Sequence, residues 1–175
     1  VLFRSAAASG ARISRATLER LAGASPEMPA PWPAGAVEDL VGLLLTGHRA
    51  IPVFESLDQY GLLVRVLPEW APVRYKPQRN AYHRFTVDRH LWEAAANAAE
   101  LVHRVSRPDL LVLGALLHDI GKGYPGDHTD AGVDLVRIIG PRMGLTGDDL
   151  EAIVAMVQHH LLLPDVATQI GRAHV

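Results

Sequence analysis

The reactive side chains of this sequence centre on Leu116-Leu117-His118-Asp119-Ile120-Gly121-Lys122-Gly123. Here an apolar run ends in an adjacent imidazole and carboxylate, followed by a lysine between glycines. An apolar helix has no structural need for His-Asp at its end, because burying an unpaired charge is costly and burying a metal-ligating pair is not. The pair reads as the floor of a metal site. With nine histidines and no cysteine in 175 residues, a metal would be held by imidazole and carboxylate. That donor set suits a divalent ion, Mg or Mn first, with Fe, Co or Zn compatible, and it excludes disulfides and thiol catalysis. Further histidines stand at the edges of apolar patterns: His90 opens one, His128 precedes another and His159-His160 close a third. An open site of this kind favours hydrolysis. The metal would lower the pKa of bound water and polarise a phosphoryl oxygen, while Lys122 neutralises charge that develops in the transition state.

The elements that must position these groups are legible as helices. His90, Ala94, Ala98, Leu101 and Val105 form one stripe at helical spacing, behind a capping Thr86 with Asp88 in the first turn. Pro108 suits the first turn of the next helix, whose stripe Leu110, Leu113 and Leu117 leads to His118-Asp119. The glycines and proline of Gly121 to His128 then break the helix and let the backbone and Lys122 come close to a ligand. Thr129 to Ile139 is helical again and is expected to stop at Gly140-Pro141. Thr146 starts a capping pattern, and Ile153, Val154 and Val157 lead to His159-His160.

Upstream, Ala11 to Ala22 is a weakly amphipathic partial helix, and Ser25 to Gly35, with four prolines, reads as an extended linker between two packed units. Helices are expected over Ala36 to Thr46 and Ala50 to Tyr60, while Leu62 to Leu67 is too short for periodicity to separate helix from strand. Ala71 to Phe85 is basic and aromatic, with Arg74, Lys76, Arg79, His83 and Arg84. A solvated loop and a substrate-facing loop that supplies cations to a phosphate are both open readings. No convincing strand alternation appears, so the fold class is all-α.

Composition bounds the rest. The length suits one full core. Apolar runs fall short of the roughly 20 residues needed to span a bilayer, and a net charge of −2 leaves no footprint for nucleic acid or an anionic membrane. A soluble, cytoplasmic protein is expected. Val1 to Ser5 and Ile170 to Val175 can be encoded by reverse-complementary DNA of the sequencing-adapter type, so residues 1–5 and 170–175 read as artefactual ends and His174 is set aside.

His90, His118-Asp119 and Gly121-Lys122, in that order, resemble the HD superfamily of metal-dependent phosphohydrolases, named for the adjacent pair. The run PQRNAYHRFTVDRH from Pro77, the segment LLHDIGKGYPGDHTDAG and the segment QHHLLLPDVAT are further similar to the HD domain of the bifunctional PII uridylyltransferase/uridylyl-removing family of bacterial nitrogen regulation. The resemblance covers about Ala36 to Thr168 and implies an HD-domain helical bundle over 36–169. It is truncated on its C-terminal side, since the superfamily's final metal-binding aspartate lies on a later helix. It implies His90, His118 and Asp119 as ligands of a first metal, and His128 and His159 as ligands of a second. His160 and His83 are implied as ligands or acid/base groups, Lys122 is the further catalytic candidate, and Arg79, Arg84 and Asp127 are the expected substrate contacts. The implied reaction is hydrolytic removal of UMP, or AMP, from a tyrosine of the PII protein. The competing readings are an HD phosphohydrolase of free nucleotides and a non-catalytic regulatory module that binds PII.

Overall fold

The computed structural model describes residues 1–24, 26–78, 84–163 and 166, and among them every regular element is helical. Among these residues nine α-helices follow in order: α1 (Leu2–Ser9), α2 (Arg15–Ala24), α3 (Ala36–Leu44), α4 (Ile51–Gln59), α5 (Leu62–Val66), α6 (Val87–Glu100), α7 (Pro108–Leu117), α8 (His128–Met143) and α9 (Gly147–Gln158). Short 3₁₀ turns at Gly47–Ala50, Pro68–Val73, Val102–Arg104 and Ile120–Gly123 join them. Among the described residues no helix is long and apolar enough to cross a membrane.

The centre of the bundle is α6 packed on α7, with α9 against α7 and α8 against α9. α7 is apolar nearly all round, as a central helix must be: Leu110, Val112, Leu113, Leu116 and Leu117 are all buried. Beside it Trp92 of α6 stacks between Phe54 and Trp70, with ring centroids 6.0 and 5.8 Å away. One continuous core results, and it reaches back to Ala6 and Ala7 of α1 and Leu18 of α2.

Three expectations change here. The proline-rich stretch before α3 is non-helical, yet it is not a spacer: Trp32 is buried, its backbone N–H donates to the Arg142 carbonyl at 2.8 Å, and the Met28 N–H donates to the Arg65 carbonyl. It straps the N-terminal helices to α5 and α8, because prolines that forbid helix also keep a chain extended at little entropic cost. Second, α8 passes through Gly140-Pro141 and stops at Gly144, whose φ of 90° suits glycine. Third, neither Thr86 nor Thr146 makes a side-chain capping bond. The undecided run at Leu62 is a short helix, and the residues read as an artefactual start form the first half of α1.

Close backbone approach positions the helix ends. A Cβ on Gly121 would lie 2.0 Å from the His128 carbonyl oxygen and 2.5 Å from the Gly132 nitrogen. Only glycine allows the turn after α7 to lie against the first turn of α8. Gly123 is pressed in the same way on Pro72. At the other side, the Arg142 guanidinium forks onto the Glu69 carboxylate at 2.8 and 2.6 Å, and the Tyr124 hydroxyl donates to the Glu69 carbonyl. These contacts tie the 3₁₀ turn at Pro68–Val73 to α8 and to the loop below the His-Asp pair.

Candidate metal centre

Four helix ends meet at Asp119, which is 2% exposed. His90 comes from the first turn of α6, His118 caps the C-terminus of α7, His128 opens α8 and His160 follows α9. The Oδ2 atom of Asp119 lies 3.3 Å from His90 Nε2 and 3.3 Å from His118 Nε2. Its Oδ1 lies 3.3 Å from His160 Nε2 and 3.8 Å from His128 Nε2. Lys122, one 3₁₀ turn further on, places its ammonium 2.6 Å from Oδ2. Two ligand triads therefore share Asp119: His90, His118 and Asp119 on one side, Asp119, His128 and His160 on the other.

Local structure sets which nitrogen faces the centre. His118 Nδ1 is 2.8 Å from the Ala115 carbonyl and His160 Nδ1 is 2.6 Å from the Val157 carbonyl. Each ring reaches back three residues to an orphan carbonyl at its helix end. A carbonyl only accepts, so Nδ1 carries the proton and, in the neutral ring, Nε2 presents a lone pair to the centre. His90 Nε2 and His118 Nε2 are 3.1 Å apart. Asp119 Oδ1, His128 Nε2 and His160 Nε2 are buried without a hydrogen-bond partner among the described residues. Buried acceptors that face one another are costly unless a cation lies between them. The residues thus fit a divalent metal, and backbone carbonyls behind two of the rings already orient them as such a site requires.

The electrostatics agree. Burial pushes the Asp119 carboxyl up, but the imidazoles of His118, His160 and His90 outweigh it and hold the group below the usual carboxylate range. Asp119 in turn raises His160, against the opposing effect of burial.

A cavity of about 570 Å³ opens over the centre. His90, His118, Asp119, His128, His160 and Lys122 form its floor, with Lys76, Pro77 and Gln78 on one wall and Val87 and Leu161 on others. Lys122 donates to Gln78 Oε1 at 3.1 Å, and Gln78 Nε2 donates to the Phe85 carbonyl at 3.3 Å.

Not every anticipated residue reaches this place. His159, read as a ligand of a second metal, is exposed, and its neighbour His160 stands at the centre instead. The register explains it: His160 lies three residues beyond buried Val157, whereas His159 follows the solvent-facing Ala155. Asp127, expected to touch substrate, caps α8 by accepting from the N–H groups of Thr129 and Asp130 at 2.8 and 3.1 Å, and is not among the residues lining the cavity. These bonds hold its carboxyl below the usual range. Arg84 is exposed, with its guanidinium 5.8 Å from the Phe85 ring centroid. Arg79 and His83 lie outside the described residues. Reading the sequence for charge alone overlooks Gln78 and Leu161 and does not single out Lys76. A glutamine carries no charge signal, but all three sit within three residues of a group that the sequence does flag.

A family model described as HD domain matches residues 87–172. Bifunctional uridylyltransferase/uridylyl-removing enzymes are similar over most of the chain. The Streptomyces coelicolor protein is 50% identical over 164 residues, 94% of this chain and 20% of that protein. The Mycobacterium tuberculosis protein is 49% identical over 172 residues, 97% of this chain and 21% of that protein. The Corynebacterium glutamicum protein is 36% identical over 165 residues, 94% of this chain and 24% of that protein. The chain thus spans about a fifth of the length of these relatives. With the His-Asp pair at the meeting point of four helix ends inside the matched segment, residues 87–172 form an HD domain, in a chain similar to a fragment of the bifunctional uridylyltransferase/uridylyl-removing enzymes.

Proposed function

We propose that this chain carries the hydrolytic half of a bifunctional nucleotidyltransferase, releasing UMP, or AMP, from a tyrosine of a PII signalling protein by cleavage of the phosphodiester. The observation that supports it is the set of acceptors around Asp119 that have no hydrogen-bond partner among the described residues, on the floor of an open cavity. Relatives named for uridylyl removal point to the bond that is cut. His90, His118 and Asp119, with His128 and His160, would hold a divalent metal, which would supply Lewis acidity toward a phosphoryl oxygen and lower the pKa of water. The protein's own part is placement. Asp119 stays ionised against burial because imidazoles surround it. The Ala115 and Val157 carbonyls lock two rings with Nε2 inward. Lys122 balances the Asp119 charge, so the floor can accept an anionic diester without net repulsion. Tyrosinate, whose conjugate acid has a pKa of about 10, leaves with modest proton assistance.

The test is release of UMP from uridylylated PII by the Mn²⁺-loaded chain, alongside a panel of free nucleotides. Release from PII that is lost in Asp119→Ala and His118→Ala is the expected result. Turnover of free nucleotides without release from PII would move the assignment to a nucleotide phosphohydrolase. Binding of PII with no turnover of either would leave a regulatory module.

A further inference from the structure

Two lysines line the cavity over the metal centre, and the structure treats them differently. Lys122 is committed: its ammonium lies 2.6 Å from Asp119 Oδ2 and donates to Gln78 Oε1 at 3.1 Å, so its charge already balances a metal ligand. Lys76 has no ion pair among the described residues, although it is half-buried. Its backbone is pinned on both sides, the N–H donating to the Val73 carbonyl at 3.2 Å and the carbonyl accepting from Val87 at 2.9 Å. Holding a lysine half out of water with no counter-charge has a cost that an arriving anion offsets. Lys76 is therefore the lysine of this cavity whose charge is still available.

We infer that Lys76 binds a non-bridging phosphoryl oxygen of the substrate, a nucleoside 5′-phosphate ester, and that Lys122 acts on the phosphate only through Asp119. Lys76 is then a phosphate-binding residue and Lys122 a positioning residue, held in place by Gln78. This assignment rests on the hydrolase reading of the cavity, but it makes a claim about binding that turnover does not enter.

The experiment is a calorimetric titration of UMP, the product and a phosphomonoester probe, into the Mn²⁺-loaded 175-residue chain and its Lys76→Gln, Lys76→Arg and Lys122→Gln variants. Each variant is also titrated with Mn²⁺ alone and checked for its fold by circular dichroism. Lys76→Gln is expected to weaken UMP about tenfold, the lower range for one hydrogen bond to a charged group, with Mn²⁺ affinity unchanged. Lys76→Arg is expected to recover most of the loss, and the gap between parent and Lys76→Gln to shrink as salt rises. Lys122→Gln is expected to change Mn²⁺ affinity instead, because it removes a cation that shares Asp119 Oδ2 with the metal. UMP binding that is absent in the parent, or equal in parent and Lys76→Gln, would overturn the inference, as would an about tenfold loss in Lys122→Gln with Mn²⁺ affinity intact. A parent that binds UMP through Lys76 yet releases none from PII would leave the inference standing and defeat the proposed function. Release from PII with no effect at Lys76 would do the reverse.

Discussion

Asp119 and Asp88 are equally hidden, each 2% exposed, yet their surroundings are opposite. Both oxygens of Asp88 accept backbone N–H groups, from Tyr75 and from Arg89, at 2.8 Å each. Those donors are fixed, and one of them holds Tyr75 in the left-handed region at φ 52°, where a non-glycine residue is strained. Asp119 meets imidazoles and an ammonium, all on side chains, and one of its oxygens has no hydrogen-bond partner among the described residues. Burial alone does not distinguish a functional carboxylate from a structural one. What distinguishes them is whether the partners are amides with nowhere else to go or lone pairs that a cation can join.

Substitution should separate the two. Asp119→Ala is expected to abolish stoichiometric Mn²⁺ binding, weakening it by more than about 100-fold, the upper range for loss of a partner that only orients a ligand, as read by calorimetry. A retained site would erase the contrast. The neighbouring histidines sharpen it: His160→Ala should weaken Mn²⁺ at least about tenfold, while His159→Ala, one residue earlier and exposed, should leave it unchanged. Equal effects would mean that α9 does not end in the register that turns His160 inward. Gly121→Ala drives a methyl group into the backbone of α8, with an expected loss of about 1–3 kcal/mol in denaturant unfolding and weaker Mn²⁺ binding as His128 moves. Asp88→Ala should cost a similar amount, about 1–3 kcal/mol for buried donors left unpaired, but with Mn²⁺ stoichiometry intact.

The smallest expected effect is an acid-side one at the surface, where Arg107 bridges Asp109 and Asp149. Hydrogen bonds from Arg107 hold both carboxyls below their usual range. A carboxyl depressed on folding contributes stability above its unfolded pKa of about 3.9 and loses that contribution as pH falls through the lower folded value. Thermal unfolding of Arg107→Ala should therefore approach that of the parent as pH drops from about 7 toward about 3. A gap that widened would refute the sign.

Much of the fold and part of the centre are legible in the residue pattern alone. Pro108 at the start of α7, the apolar run behind it and His118-Asp119 at its end stand as anticipated, because a proline in the first turn, an apolar run and a breaker are all local features. The choice between His159 and His160 is also written in the spacing from Val157. It is lost when a double histidine is read as a unit, because successive residues on a helix point about 100° apart. The packed proline-rich strap is not legible in this way. Prolines announce an extended chain, and only the facing Arg142 carbonyl and the pocket for Trp32 decide that it is bound.

The chemistry is already written in the residue order: no cysteine, an imidazole-carboxylate donor set, helices that end in those donors, and glycines where the backbone must come close. Each of these depends on residue type and on neighbours within a few positions. Packing alone makes four separate helix ends share Asp119, leaves Asp127 as the cap of α8 outside the cavity, and neutralises one of the two cavity lysines. Those outcomes depend on which orphan groups face one another across the bundle, a property of packing at long sequence separation that no local pattern encodes.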